Sequence, residues 1–194
     1  VTGYDIDKKT IVITSRFFKK KNLCFISDLN SLGHYDVVTM FQVIEHFSNS
    51  FRNEILRRIS SEYLKAKGIF ICSTPNKLVT SSGLKKPVMV FHICEYTPTT
   101  LNKELEKYFK KVKIYGQTEV LEETKATNKI QLIRKNLTRF LSQIEIVRII
   151  SRHLPIKFKY LLMGNLVKDR RQYKLVTREE KIKDAITLIA ICQN

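Results

Sequence analysis

The sequence predicts an α/β protein built on a doubly wound, mostly parallel sheet. Two continuous apolar runs of strand length, Val37–Phe41 and Gly68–Ser73, suit strands that are buried on both faces. Strand-like and helix-like segments alternate along the first 116 residues, which is typical of this class. Both apolar runs end in polar residues, Gln42 and Thr74–Asn76, and ligands of open α/β sheets bind at such strand ends.

The individual elements follow from local patterns. Apolar residues at helical spacing predict a helix over Asn53–Ala66, and Gly68 suits its C-terminal stop. Thr97 followed by Pro98 is typical of a capped helix start. In order, we expect a strand tail and turn (Val1–Asp7), a helix (Lys8–Phe18), a strand (Leu23–Ser27), a loop (Ser31–Tyr35), the strand Val37–Phe41, the helix Asn53–Ala66, the strand Gly68–Ser73, a loop (Lys77–Val90), a helix (Thr97–Phe109) and a strand (Val112–Gly116).

The pattern changes after residue 116. A helical apolar stripe with interspersed Lys and Arg runs through Ile130–Ile150, and an apolar strand returns at Ile186–Ile191. We therefore divide the chain into a core (1–116), a helical basic insertion (117–183) and a final core strand (184–194).

The net charge and the cysteine content limit the partners and the location that we expect. The net charge of +17 and the pI of about 9.8 favour a phosphate-bearing substrate, nucleic acid or an acidic membrane surface, although a composition bias explains them equally well. The four cysteines form no Cys-x-x-Cys pair, so we expect buried thiols, a reducing cytoplasmic location and no metal site. No apolar run has the length of a membrane span.

Two acids, Asp5 and Asp28, stand at predicted strand ends. A carboxylate there can accept hydrogen bonds from the hydroxyls of a ribose, and a second one from an exocyclic amine. Both could instead only cap turns, as Asp often does.

An ordered set of motifs now suggests a family. The chain resembles the class I S-adenosylmethionine-dependent methyltransferases, within them the branch that contains quinone-type and many glycan- or lipid-cluster enzymes. The resemblance covers residues 1 to about 116 and resumes at the last strand. It rests on Gly3–Ile6, Ser27–Leu29, Tyr35–Val38, Val43–His46, Lys67–Asn76 and His92–Thr97.

The resemblance implies a Rossmann-like sheet with an antiparallel last strand and S-adenosylmethionine as cofactor. It also implies methyl transfer to a small-molecule, lipid-linked or glycan acceptor, at oxygen or carbon. The cofactor would contact Asp5 at its ribose hydroxyls and Ile6 beside its adenine. Asp28 would accept from the adenine amine, with the Leu29 backbone beside it, and Phe41 and Gln42 would line the methionine arm.

One departure from the family pattern is a missing glycine-rich loop, which should precede Val1. Glycine lets the backbone approach the methionine part of the cofactor closely. We expect a fragment that begins at the second strand of the family and binds the cofactor poorly by itself. A degenerate domain that serves as a non-catalytic scaffold is the alternative.

His46 and His92 are the candidate general bases for a hydroxyl acceptor, and a purely structural role is the alternative for each. Glu45 could equally be a helix-cap acid.

The basic insertion could be a lid, a solvated face or a contact with an anionic membrane through Lys135, Arg139, Arg148 and Arg152. Methylation of RNA or protein is a further alternative. Against base N-methylation, Phe41–Ile44 stands where such enzymes often carry an Asn/Asp-Pro-Pro-aromatic tetrad.

Overall fold

The computed structural model describes residues 1–120 and 172–194. Short 3₁₀ turns occur at Leu29–Ser31 and Ile44–His46, and a π-helical turn at Ile59–Tyr63 continues the second helix. The strands are β1 (Thr2–Tyr4), β2 (Cys24–Ile26), β3 (Tyr35–Phe41), β4 (Leu64–Pro75), β5 (Lys111–Val120), β6 (Gln172–Val176) and β7 (Thr187–Gln193). The helices are α1 (Lys8–Phe17), α2 (Asn49–Arg58), α3 (Lys77–Thr80), α4 (Pro98–Leu105) and α5 (Glu179–Lys183).

The strands form two sheets. β1 and β2 pair in parallel, and the other five strands are ordered β3-β4-β7-β5-β6. β3 and β4 are parallel, whereas β7 runs antiparallel between β4 and β5. The predicted α/β class and the antiparallel last strand are therefore confirmed. β6, antiparallel at the far side of β5, was not expected.

Several element bounds differ from the expectation. The helix predicted over Asn53–Ala66 starts four residues earlier, because the Ser48 hydroxyl accepts a hydrogen bond from the Phe51 amide. Its last residues belong to β4 instead, and Gly68 does not end a helix. An added Cβ at Gly68 would lie 2.9 Å from a Leu64 methyl group, so this glycine permits a close approach within the sheet.

The segment assigned to the insertion is strand at both described ends. β5 continues past Gly116 to Val120. At the other end, β6 lies wholly within the segment assigned to the insertion, and α5 ends at its last residue, Lys183. The Ile130–Ile150 stripe and the four basic residues considered for membrane contact lie outside the described residues.

The main core lies between the five-stranded sheet and helices α2 and α4. The Phe70 ring of β4 is fully buried and stacks on Phe109 with ring centroids 5.3 Å apart. Thr97 and Thr100 form the capping box that starts α4, as its sequence predicted. The largest fully buried apolar side chains are Phe70, Ile44, Leu56, Ile59, Leu101, Leu105 and Leu188.

Two surfaces remain open in the described part of the chain. No described strand pairs with the outer edge of β3, where Val37 and Phe41 are 50% and 55% exposed. Helix α1 likewise has no buried residue, and Phe17 on it is 78% exposed. In the described part of the chain, β1 and β3 therefore belong to two separate sheets.

The β1–β2 unit is nevertheless attached to the core. The Tyr63 hydroxyl donates to the Leu29 carbonyl at 3.2 Å, and the Arg58 guanidinium donates to the Asn30 side chain at 2.9 Å. These bonds fix the turn after β2 against α2. Among the described helices, none is long and apolar enough to cross a membrane.

Candidate functional site

The carboxyl ends of β3 and β4 form one polar rim. Gln42 follows β3 directly and adopts a left-handed backbone with φ of 54°. This conformation is uncommon outside glycine and is held here by two bonds to Ser73. The Gln42 amide donates to the Ser73 carbonyl at 2.9 Å, and its side-chain amide donates to the Ser73 hydroxyl at 3.1 Å. The adjacent Phe41 ring is half exposed, so Phe41 and Gln42 both line an accessible surface.

The two acids on the β1–β2 side both cap turns. Asp5 Oδ1 accepts from the Asp7 amide at 2.8 Å, and Asp28 Oδ1 accepts from the Asn30 amide at 2.9 Å. Burial of the Tyr4 ring raises its pKa, and the negative charges of Asp5 and Asp28 raise it further. Both carboxylates therefore lie within electrostatic reach of one phenol. Cofactor binding by these acids stays a prediction, as does the role of the accessible Ile6 and of Leu29.

The two candidate bases, although 46 positions apart, meet in space. The rings of His46 and His92 are in edge contact, with centroids 5.0 Å apart. His46 Nδ1 lies 3.1 Å from the Phe91 carbonyl, which can only accept, so this nitrogen is the donor. His92 Nδ1 lies 3.0 Å from Glu95 Oε1. Each Nε2 atom is consequently the basic nitrogen of its ring.

Glu45 anchors this cluster from within the protein. Its side chain is almost fully buried, and its Oε2 accepts from the Thr74 hydroxyl at 3.0 Å. Its backbone carbonyl accepts from the Ile93 amide at 2.9 Å, which holds the His92 segment against the Ile44–His46 turn. Glu45 is thus a packed link between the ends of β3 and β4, and it does not act as the side-chain cap that its position suggested.

One ligand atom from each of Glu45, His46 and His92 lies within 4.8 Å of the others. A carboxylate and two imidazoles can accept a proton or bind a metal ion. No metal-ligand spacing in the sequence predicts this group because its members come from two distant segments. The signal that could have found it is the placement of Val43–His46 and His92–Thr97 after neighbouring parallel strands.

Burial raises the pKa of three of the four cysteine thiols. Burial raises the pKa of the Cys192 thiol to about 12 and also raises that of Cys72. Cys94 is half-buried, and its pKa is likewise raised by burial. The expectation of buried thiols is confirmed for Cys72 and Cys192, whereas Cys24 is exposed.

Asn76, the residue after β4, fastens the rim to the last part of the chain. Its side chain is fully buried. Its amide nitrogen lies 3.2, 3.0 and 2.8 Å from the carbonyl oxygens of Ile182, Lys183 and Ala185. Its amide oxygen accepts from the Leu78 amide at 3.1 Å, which starts α3. The predicted Lys77–Val90 loop therefore begins with a short helix.

Polar residues at the carboxyl ends of parallel strands lie where open α/β domains bind their ligands. Residues 1–108 match the model of a family described as methyltransferase domain. This match covers more than half of the 194 residues. The chain belongs to this methyltransferase family, whose cofactor is S-adenosylmethionine.

A curated relative agrees with this assignment. The chain is 38% identical over 73 residues to a protein of Mycolicibacterium smegmatis named probable S-adenosylmethionine-dependent methyltransferase. The aligned part is 37% of this chain and 26% of the relative, so the chain spans about a quarter of that protein's length.

Solved structures show the same fold at low sequence identity. An S-adenosylmethionine-dependent methyltransferase of Archaeoglobus fulgidus matches with a TM-score of 0.55 and 18% identity, over 100% of this chain and 75% of that one. The small RNA methyltransferase HEN1 matches with a TM-score of 0.54 and 16% identity, over 100% and 20%. The [4+2]-cyclase SpnF matches with a TM-score of 0.52 and 14% identity, over 99% and 66%. The cyclase illustrates that this fold alone does not fix a reaction.

Proposed function

We propose that the chain is part of an enzyme that transfers the methyl group of S-adenosylmethionine to a small-molecule, lipid-linked or glycan acceptor, at oxygen or carbon. The observation that carries this proposal is the meeting of His46 and His92 beside the Phe41–Gln42 rim. We place the enzyme in the quinone-type and glycan- or lipid-cluster branch, and in the cytoplasm or at its membrane surface.

In this proposal the rim divides the site into two halves. Asp5 and Asp28 hold the ribose and the adenine amine of the cofactor, with Ile6 and Leu29 beside the adenine ring. Phe41 and Gln42 line the methionine arm. The supporting observation is that Gln42 is held in a costly left-handed conformation by two bonds to Ser73, a kind of strain that clusters at functional sites.

Methyl transfer requires the protein mainly to align the two reactants and to accept one proton. Bound S-adenosylmethionine would supply a methyl group that is activated by its sulfonium. An acceptor oxygen that the rim aligns with this methyl carbon would displace the neutral thioether. The acceptor proton passes to an imidazole Nε2, and alignment of the two reactants supplies most of the rate. His46 is exposed and can meet an incoming acceptor, whereas the His92 side chain is 8% exposed and sits behind it.

The histidine role can be tested in the protein that carries the complete domain. His46→Ala and His92→Ala should each lower kcat by about 10²-fold or more, the usual contribution of a general base. His34→Ala is the matched control because His34 is exposed and precedes β3, at the opposite end of this strand from the rim. Unchanged turnover in both test variants would eliminate the base role.

We further propose that a parallel strand and its glycine-rich loop, contributed from outside the described residues, lie between β1 and β3. The separated sheets and the exposed β3 edge support this. Without them the cofactor has only its adenosine-side contacts. The 194-residue chain should therefore bind S-adenosylmethionine with a Kd well above the micromolar range, and micromolar binding in a calorimetric titration would contradict the proposal.

The same gap favours a second candidate, a non-catalytic domain that serves as a binding or scaffold subunit. The protein with the complete domain distinguishes the two, because a scaffold would bind no S-adenosylmethionine. Activity on extracted lipids and glycans compared with RNA and protein would then identify the acceptor. Co-sedimentation with anionic liposomes tests the membrane contact proposed for the basic insertion.

A further inference from the structure

We propose that Glu45, His46 and His92 bind a divalent transition-metal cation, with Zn²⁺ and Mn²⁺ as the best matches. The proposal concerns the cation alone and stands without methyl transfer. One carboxylate oxygen and two imidazole nitrogens are a borderline donor set that suits these ions better than Ca²⁺.

The geometry needs little rearrangement. The three candidate ligand atoms lie within 4.8 Å of one another. Two ligands bound to one ion at about 2.1 Å lie roughly 3–4 Å apart. Since Glu45 and His92 are held within the protein, the exposed His46 ring can make most of this adjustment.

A hydrogen bond orients each of the three candidate ligands. For the two histidines this bond is made by Nδ1, and for Glu45 it is made by a carboxylate oxygen. The His46 Nδ1–H donates to the Phe91 carbonyl, and the His92 Nδ1 is bonded to the Glu95 carboxylate. Both Nε2 atoms are therefore left with a free lone pair. A carboxylate–histidine pair of this kind is the usual outer shell of a metal-binding histidine. The Thr74 hydroxyl holds the Glu45 carboxylate in the same way.

Buried negative charge gives a second, independent reason. The side chains of Glu45 and Glu95 are each 1% exposed. Within the described part of the chain, Glu95 Oε2 is buried without a hydrogen-bond partner. Two buried carboxylates around two imidazoles are costly unless a positive charge compensates them. A divalent cation held by Glu45 and both histidines supplies that charge.

Three protein ligands leave coordination positions open to water or substrate. If the chain transfers methyl groups as proposed above, the acceptor hydroxyl would take such a position, and the ion would lower its pKa. The acceptor proton would then pass to solvent, because the two Nε2 atoms would be bound to the ion, so the ligand role replaces the general-base role of these histidines. This clause rests on the proposed function, whereas the cation site itself does not.

The test is calorimetric titration of the metal-stripped 194-residue chain with ZnCl₂ and with MnCl₂, without S-adenosylmethionine. We expect one equivalent to bind, and His46→Ala to weaken this binding at least tenfold. His34→Ala should bind like the unmodified chain. The proposal is overturned if the unmodified chain binds neither ion, or if His46→Ala and His34→Ala bind equally tightly.

A second variant, Glu95→Gln, tests whether His46→Ala weakens cation binding only by disturbing the local structure. Glu95→Gln keeps the size of the orienting side chain and should weaken cation binding about 10–100-fold. The electron paramagnetic resonance spectrum of bound Mn²⁺ should change in this variant, which loss of packing alone would not produce. An unchanged affinity and spectrum in Glu95→Gln would count against the site, whatever the outcome of the methyl-transfer assays.

Discussion

Replacing Asn76 should lower the free energy of unfolding, because this side chain links the end of β4 to the segment that precedes β7. This side chain is fully buried, and its amide nitrogen faces three backbone carbonyls at 2.8–3.2 Å. Asn76→Ala removes about two net hydrogen bonds worth roughly 1 kcal/mol each and leaves buried carbonyls unsatisfied. It also removes the cap of α3, worth about 1 kcal/mol. The expected loss is about 3–4 kcal/mol.

For a chain of 194 residues this loss lowers Tm by about 6–16 °C. Urea unfolding followed by far-ultraviolet circular dichroism is the suitable measurement, since the chain contains no tryptophan. Asn102→Ala is the matched control. The Asn102 side chain makes an exposed bond to Glu106, so its loss should cost under about 0.5 kcal/mol.

Asn76→Asp sharpens the interpretation. It keeps the oxygen that caps α3 but turns a carboxylate toward three carbonyls, so it should be at least as unstable as Asn76→Ala. If Asn76→Asp unfolds at the same urea concentration as the unmodified chain, the donor bonds contribute nothing and the reasoning is wrong.

Three further predictions concern the packing around the sheet. Arg52→Ala breaks a nearly buried ion pair with Glu104 and should cost about 3 kcal/mol in urea unfolding, measured against Glu104→Gln as the partner variant. Gly116→Ala would place its Cβ 2.5 Å from another side chain and should cost about 1–3 kcal/mol, whereas Gly33→Ala meets nothing within 4 Å and should be nearly neutral. Burial alone would raise the pKa of Glu104, but hydrogen bonds from Lys107 and Arg52 lower this pKa below 4.5. The ionised carboxylate therefore stabilises the fold above that pH, and this stability is lost as the pH falls through the lowered pKa. In acid unfolding curves, the free energy of unfolding of Glu104→Gln should depend less on pH than that of the unmodified chain.

The strand and helix pattern was predictable where one local signal dominates. The apolar run at Val37–Phe41 lies within β3, and the Thr97–Pro98 start fixes the beginning of α4. The helix predicted over Asn53–Ala66 was misplaced because its last apolar residues belong to different elements. Tyr63 ends the π-helical turn, whereas Leu64, which continues the same helical stripe, pairs with Tyr35 as the first residue of β4. The sequence alone cannot distinguish the two.

The site was only partly predictable for a related reason. The candidates His46 and His92 were identified from their positions after two strands, and the structure brings them into ring contact. The role of Glu45 depends on its burial and on a hydrogen bond across the fold from Thr74, which no local spacing in the chain encodes. Glu95 stands only three residues from His92, but the burial of its carboxyl group depends on tertiary packing.

The edge of β3 that has no partner among residues 1–120 and 172–194 has a practical consequence for work with the isolated polypeptide. Such an edge on a seven-residue strand, with Val37 and Phe41 exposed beside it, is a template for pairing with another chain. Asp36 is the one charge within that strand. Self-association should therefore rise with protein concentration and persist in high salt. Light scattering should be checked before any thermodynamic measurement on these 194 residues is interpreted.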